Sequence, residues 1–303
     1  NFKKVDANKH DRVDRIWEKD SAEFIMEELQ NSEIADVSEV KKRSPQTPGR
    51  LYDLTTLQRE ANRLHHFPAS RTLQLAQSLY ERHKVITYPR TDSKALPEDY
   101  GPTCTELLGV LPNELSPFGK KVLEEGWVDE KNKRIFNNKQ ISDHFAIIPT
   151  NKTAASLDAN EWKIYNLIAK RFLSVFYPPA QWDVTTRTSA VGKHSFKTEG
   201  RVLVEPSWLA IYGKDNQPSD SLPPLTETDQ NNAALLECKM ETDDTKPPPR
   251  YSEATLLSAM EGAGKLVDDE ELAEALKEKG LGTPATRAAT IEHLIKEKYV
   301  RRE

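Results

Sequence analysis

Cysteine is scarce in this chain, long apolar runs are absent, and each shortage excludes something. Cys104 and Cys238 are the only cysteines in 303 residues. Standing alone, they leave no disulfide framework and no Cys-rich zinc module in this segment, and they fit a reducing compartment. No apolar run approaches the ~18 residues that cross a bilayer, and no signal-peptide or lipidation pattern occurs, so a soluble, cytoplasmic protein with no membrane partner is expected. A P-loop pattern is missing, which argues against nucleotide hydrolysis by this segment. Internal repeats and low-complexity tracts are missing too. The apolar fraction is low, at 37%, against 30% charged residues, which favours an elongated or multi-domain chain over one compact ball.

A basic excess is also lacking: 43 Lys and Arg stand against 48 Asp and Glu, a net charge of −5. Taken over the whole chain this argues weakly against a nucleic-acid partner. Binding depends on where charges sit, however. Residues 81 to 94 carry Arg82, Lys84, Arg90 and Lys94 against Glu81 and Asp92, with His65, His66 and His83 nearby. The acidic surplus lies elsewhere, as in DDEELAEALKE. The sequence begins NFKKVD, without methionine, and stops just after an amphipathic pattern, as an excised piece of a longer protein would.

Periodicity divides the chain into a small mixed piece, a helical piece, a β piece and a helical tail. Asp20-Ser21-Ala22-Glu23 reads as a helix start, and ADVSEVKKRSP as a strand ended by PQTPG. Helices follow over LYDLTTLQREANRL and SRTLQLAQSLYERH, the second with Ser70 as cap and Leu73, Ala76 and Tyr80 on one stripe. NEWKIYNLIAKRFLSVFYPPA turns Ile164, Leu167, Ile168 and Phe172 inward until Pro178-Pro179 stops it. The segment from Trp182 to Trp208 alternates, with Trp182, Val184 and Thr186 on one face and Gly192 and Gly200 as turns. After a proline-rich joint the tail is helical, with Thr283 as N-cap and Pro284 at the first helical position.

Four stretches could carry chemistry. In KVITYPRTDS, Tyr88 follows a β-branched pair and precedes Pro89-Arg90. A phenol of pKa about 10 is ionised in roughly one molecule per thousand at neutral pH, so attack by Tyr88 needs cations or a base beside it. Arg90 offers planar donors for a phosphate, and Lys84 and His83 add field. Judged locally, a core tyrosine near a surface arginine is the commoner outcome. In SDHFAIIPT, His144 precedes an apolar run; it is either a satisfied structural histidine or a phosphate contact and proton carrier. GLGTPATRAATIEHLI sets two glycines, Thr283, Thr286 and Arg287 around a helix start, whose free N–H groups suit phosphate. PPPRYSEATLLSAMEGAGK places Arg250, Glu253 and Lys265 along a helix that would by itself pass for a solvated amphipathic one.

Taken together and in this order, LYDLTTLQREA, ITYPRTDS, DHFAIIPT, PPPRYSEATLLSAMEGAGK and GLGTPATRAATIEHLI resemble the central and later segments of type IA DNA topoisomerases, and most nearly bacterial topoisomerase III. The likeness spans roughly residues 17 to 300. It implies that Tyr88 attacks a single-stranded DNA phosphodiester to give a 5′-phosphotyrosine, that another strand passes through the gap, and that the freed 3′-hydroxyl reverses the step without ATP. On the same resemblance Arg90 contacts phosphate, His144 belongs to the catalytic region, and Glu253, Lys265, Thr286 and Arg287 fall in segments that contact DNA; Lys84 is expected to contact DNA on its local charge. Phe145 stands where bacterial topoisomerase I has an acidic residue, which favours topoisomerase III and removes a polar contact.

The resemblance also implies a Toprim domain upstream that supplies a glutamate and the Mg²⁺ ligands. Nothing before residue 17 has room for it. Asp243-Asp244 and Asp268-Asp269 read as solvated surface, so no metal ligand is expected in this chain. The fragment is expected to be a monomer that carries the nucleophile but does not cut DNA alone, with Tyr88 unusually exposed. The implied architecture is multi-domain α and β. A β-rich arch over residues 1–52 and 176–245 carries an inserted helical domain over 53–175 bearing Tyr88, and a helical DNA-groove domain starts at 246. Two other readings stand beside this one. A non-catalytic DNA-binding or scaffolding fragment of the same fold would be exposed by Tyr88→Phe leaving a full-length enzyme unchanged. A relaxase would need a metal-spaced histidine cluster, for which His65-His66 without a third partner is poor support.

Overall fold

The computed structural model describes residues 15–30, 34–215, 220–225, 232–267, 269–276 and 280–302; Asp268 and the end of the acidic helix expected after it lie outside these. The chain forms two compact units, one of Asn1–Gln46, Ala180–Pro206 and Asn216–Pro248, the other of Thr47–Pro179, Ser207–Asp215 and Pro249–Glu303.

The first unit is an antiparallel sheet of β1 (Ile34–Gln46), β2 (Ala180–Val191), β3 (His194–Glu205) and β4 (Asn232–Ala234) in the order β3-β2-β1-β4, with helix α1 (Lys19–Gln30). Alternation along β1 buries Ala35 and Val37. Leu29 of α1, Ala35 and Val191 form a small core, joined by Ile25, Leu235 and Cys238. Trp182 is buried; its indole N–H donates to Gln46 (2.7 Å), and the Arg201 guanidinium stands 4.0 Å from its ring centre. Gly192 makes the expected turn, with φ at 57°. Gly200, also expected in a turn, instead lies within β3. There a Cβ would come 2.6 Å from the Asp220 carbonyl oxygen, so the strand tolerates the 220–222 segment only because this residue has no side chain.

The second unit is helical: α2 (Leu54–His65), α3 (Ala69–Glu81), α4 (Gly101–Gly109), α5 (Ser116–Glu124), α6 (Ala159–Ser174), α7 (Glu253–Glu261), α8 (Glu270–Leu276) and α9 (Pro284–Lys296). Asp53 caps α2 by accepting the Thr56 N–H (2.7 Å). Ser70 does not cap α3. That helix starts two residues earlier, after Pro68; Glu253 accepts the Ala69 N–H (2.8 Å), while the Ser70 hydroxyl donates to Glu292 (2.5 Å). The buried stripe of α3 is Thr72, Leu75, Ala76 and Leu79, leaving Leu73 and Tyr80 partly exposed. In α6 a capping box of Asp158 and Glu161 starts the helix, and Ile164, Leu167, Ile168 and Phe172 are all buried as expected.

Helices α2 to α6 share one large core that includes Leu51, Tyr52, Ile86, Phe136, Ile147 and Phe172. The three pieces expected from the sequence therefore become two units. Residues 47–52, 176–179 and 207–215 go with the helices because Leu51, Tyr52, Phe176, Tyr177 and Ile211 bury in that core. The tail from 249 joins them because Leu257, Met260, Ala288 and Ile291 cluster with Ala69 of α3.

Candidate active site

After α3 the chain turns through Lys84, whose φ of 58° is left-handed, and then extends. Val85 donates its N–H to Leu79 (3.0 Å), Thr87 to Ile148 (3.0 Å), and Thr150 to Val85 (2.9 Å), while Ile86 bridges Pro149. Further along, Ala146 donates to Ala95 (2.9 Å), and the Thr91 hydroxyl donates to the His144 carbonyl (2.8 Å). The apolar run Ala146-Ile147-Ile148 is buried, and that burial docks one segment against the other. His144, just before the run, is thereby set beside Tyr88.

The ring centres of Tyr88 and His144 lie 4.4 Å apart at 50°, and Tyr80 meets Tyr88 edge-on at 5.4 Å and 76°. Tyr88 is partly buried rather than unusually exposed, because these two rings cover it. Arg90 and His144 are exposed, and both line a cleft of about 150 Å³ whose walls also include Thr91, Asp92, Ser142 and Asp143 and, from the start of α9, Thr283, Pro284 and Ala285. A larger hollow of about 390 Å³, in the sheet unit, is lined by Asp20, Ser21, Phe24, Ile25 and His194 and holds none of the motif residues.

The remaining candidates fall in different places. Lys84 is exposed and sets its ammonium 5.4 Å from the Tyr80 ring centre. Thr286 and Thr283 form a capping box at the start of α9. Arg287 is buried and donates to Thr55 Oγ1 (3.0 Å) and to the carbonyls of Leu281 and Gly282 (both 3.2 Å). Gly280 and Gly282 have φ of 65° and 70°, and a Cβ on Gly280 would come 2.4 Å from the Met260 and Glu261 carbonyls. The amides expected to be free are largely engaged: Gly280 donates to Leu276, Leu281 to Met260, and Thr286 and Arg287 to Thr283. Glu253 uses both oxygens, on the Ala69 N–H and on Arg302 (2.8 Å each). Lys265 is exposed, on a short 3₁₀ turn after α7.

Two acidic residues that the sequence did not single out, Asp53 and Glu261, pair with Lys94 of the basic stretch. Lys94 lies 3.3 Å from Asp53 and 3.8 Å from Glu261. Burial pushes the Asp53 carboxyl above its ordinary value, while Lys94 and the Thr56 N–H oppose the shift. Tyr80 was also missed as a site residue; its only signal was its place near the end of the helix leading to Tyr88.

Among the described residues no three His, Cys, Asp or Glu side chains gather closely enough to hold a metal ion. Asp92 and Asp143 share the cleft with Arg90, and Ser142 donates to Asp92 (3.1 Å). Two carboxylates beside an arginine fall short of the three-group cluster that would mark a metal centre, and no step is assigned to a metal here. His66 caps α2 with φ at 57° and His65 packs 5.7 Å from Phe67, so the histidine pair has a structural place.

A family model described as DNA topoisomerase matches residues 1–303. DNA topoisomerase 3 of Bacillus licheniformis is 40% identical over 276 residues, covering 86% of this chain and 37% of that protein. DNA topoisomerase 3 of Shouchella clausii is 35% identical over 309 residues (98% of this chain, 41% of that protein), and that of Bacillus subtilis strain 168 is 37% identical over 300 (95% and 41%). The chain thus spans about 40% of the length of these relatives. A solved structure of full-length topoisomerase I from Thermotoga maritima superposes with a TM-score of 0.63 at 23% identity, covering 97% of this chain and 45% of that one, a likeness of fold. With the family model matched from the first residue to the last, the chain belongs to the DNA topoisomerases, of the type IA class.

Proposed function

We propose that this chain is the nucleophile-bearing part of an ATP-independent enzyme that cuts and reseals single-stranded DNA. The observation that carries the reading is Tyr88, held against His144 beside a cleft walled by Arg90 and the start of α9. The Tyr88 oxygen attacks a backbone phosphorus and loses its proton to solvent. A phosphotyrosyl ester forms as the bond to the 3′-oxygen breaks, and that oxygen takes up a proton and leaves as a 3′-hydroxyl. One P–O ester replaces another, so reversal by the hydroxyl needs no nucleotide. Arg90 pairs with the phosphate oxygens, and His144 relays the Tyr88 hydroxyl proton on to solvent. Lys84, Lys265 and Thr286 are exposed and serve DNA contacts, whereas Glu253 and Arg287 support the site by ordering the helices around it. Any Mg²⁺ that the reaction uses is held by residues other than those described.

The test is covalent capture. With a labelled single-stranded oligonucleotide and Mg²⁺, a full-length enzyme containing this segment is expected to form an adduct on Tyr88 and relax supercoiled plasmid, and Tyr88→Phe to abolish both. Retention of either by Tyr88→Phe would refute the reading. The 303-residue chain by itself is expected to bind the oligonucleotide as a monomer without forming the adduct.

A further inference from the structure

Tyr80 belongs to none of the motifs, yet of the aromatic neighbours of Tyr88 it is the one supplied by a helix. Its ring meets that of Tyr88 edge-on, centres 5.4 Å apart at 76°, and the Lys84 ammonium stands 5.4 Å from the Tyr80 ring centre. The helix end that carries it is fixed from the side. The Ser78 hydroxyl donates to Glu161 of α6 (2.6 Å), and His83 Nε2 approaches the other oxygen of that carboxylate (3.1 Å). Tyr80 therefore has a defined position from which to act on its neighbour.

We infer that Tyr80 is a positioning residue for strand cleavage: its ring, braced by Lys84, holds the Tyr88 ring against His144 and so fixes where the attacking oxygen points. A tyrosine has two side-chain torsions, and an unrestrained ring sweeps its hydroxyl through an arc. Edge-to-face contact on one ring and a tilted contact with His144 remove most of that freedom, and the contact geometry is the favourable one for aromatic pairs. A cation near the Tyr80 ring adds attraction that keeps it in place. Orientation of this kind accelerates the chemical step without altering how tightly DNA binds. The inference rests on Tyr88 being the nucleophile.

The experiment uses the full-length enzyme and a labelled single-stranded oligonucleotide, and measures both the single-turnover rate of adduct formation and the equilibrium binding of the same oligonucleotide. Tyr80→Leu is expected to slow adduct formation about five- to tenfold with binding unchanged, and Tyr80→Phe, which keeps the ring, to restore the rate to within about twofold. Three results would overturn the inference: Tyr80→Leu at the wild-type rate, Tyr80→Phe as slow as Tyr80→Leu, or a loss that falls on binding. Melting temperatures establish that each variant is folded. Should Tyr80→Leu fail to fold, Tyr80→Met against Tyr80→Phe gives the same comparison. If the wild-type enzyme forms no adduct on Tyr88, the nucleophile assignment itself fails and the positioning role with it. A normal wild-type adduct with no effect at Tyr80 sinks the positioning role alone.

Discussion

Arg287 is 3% exposed, and among the described residues its guanidinium donates to three oxygens, one from α2 and two from the glycine loop. A lysine there keeps the charge but not the planar fork that reaches all three. Arg287→Lys is expected to cost about 1–3 kcal/mol and Arg287→Ala more, because buried acceptors are left unpaired. Urea unfolding of the chain measures both, and an Ala variant as stable as the wild type would mean that these bonds contribute nothing net. The resemblance presented this arginine as a DNA contact; in the structure its neighbours Thr283 and Pro284 line the cleft while its own side chain turns to Thr55 of α2. Local spacing cannot say which side of a helix start faces ligand and which faces α2. Tyr88 and His144 pose the converse case. Each was legible in its own motif, but their ring contact depends on two distant segments pairing through Thr87, Ile148 and Thr150, and no single stretch encodes that pairing.

At the scale of elements, α6 was read well because its signals are local, an apolar stripe and prolines beyond its end; the Asp158–Glu161 box that starts it went unread. The start of α3 was misread because its cap comes from Glu253, far along the chain, and no rule about neighbouring residues reaches it. Glu161 belongs to both helices. Burial alone would raise its carboxyl pKa, but the Ser78 hydroxyl, the Asp158 N–H and His83 together hold it below the ordinary 4.5. A lowered folded-state pKa contributes stability that is present above the unfolded value and is lost as pH falls through the folded one. Glu161→Gln is therefore expected to be less stable than wild type at neutral pH by about 1 kcal/mol. The gap in melting temperature should close as pH falls through the lowered folded-state value, below which the wild-type carboxyl is itself protonated. A gap that persists unchanged at low pH would show that the charge of Glu161 is not what stabilises the helix.

Across the whole molecule the two units differ in how much they bury. The helical unit has an extensive core, whereas the described residues of the sheet unit offer Leu29, Ala35 and Val191 as a cluster, and β1 is exposed on both faces beyond Glu39. Segment ends at Pro179, Pro206 and Pro248 help keep secondary structure from running from one unit into the other. Calorimetry is expected to resolve two transitions, with the sheet unit melting first. Val37→Asp should lower the first by several degrees and leave the second in place; one cooperative transition moved as a whole would refute independent cores. The division into sheet and helices was legible from the change of period near residue 180. The merging of the tail with the tyrosine-bearing helices was not, because it rests on Leu257, Met260, Ala288 and Ile291 meeting Ala69, an encounter that hydrophobic spacing leaves undetermined.

Glu253 has a consequence for motion. This one carboxylate sits in the first turn of α7, closes the first turn of α3 and clasps Arg302 after α9. It works as a rivet through three segments, so sliding any one of them strips a helix start of its cap. The other end of α3 leads straight into the loop that bears Tyr88. A tug on the tail is therefore felt at Tyr88 through a single rigid helix.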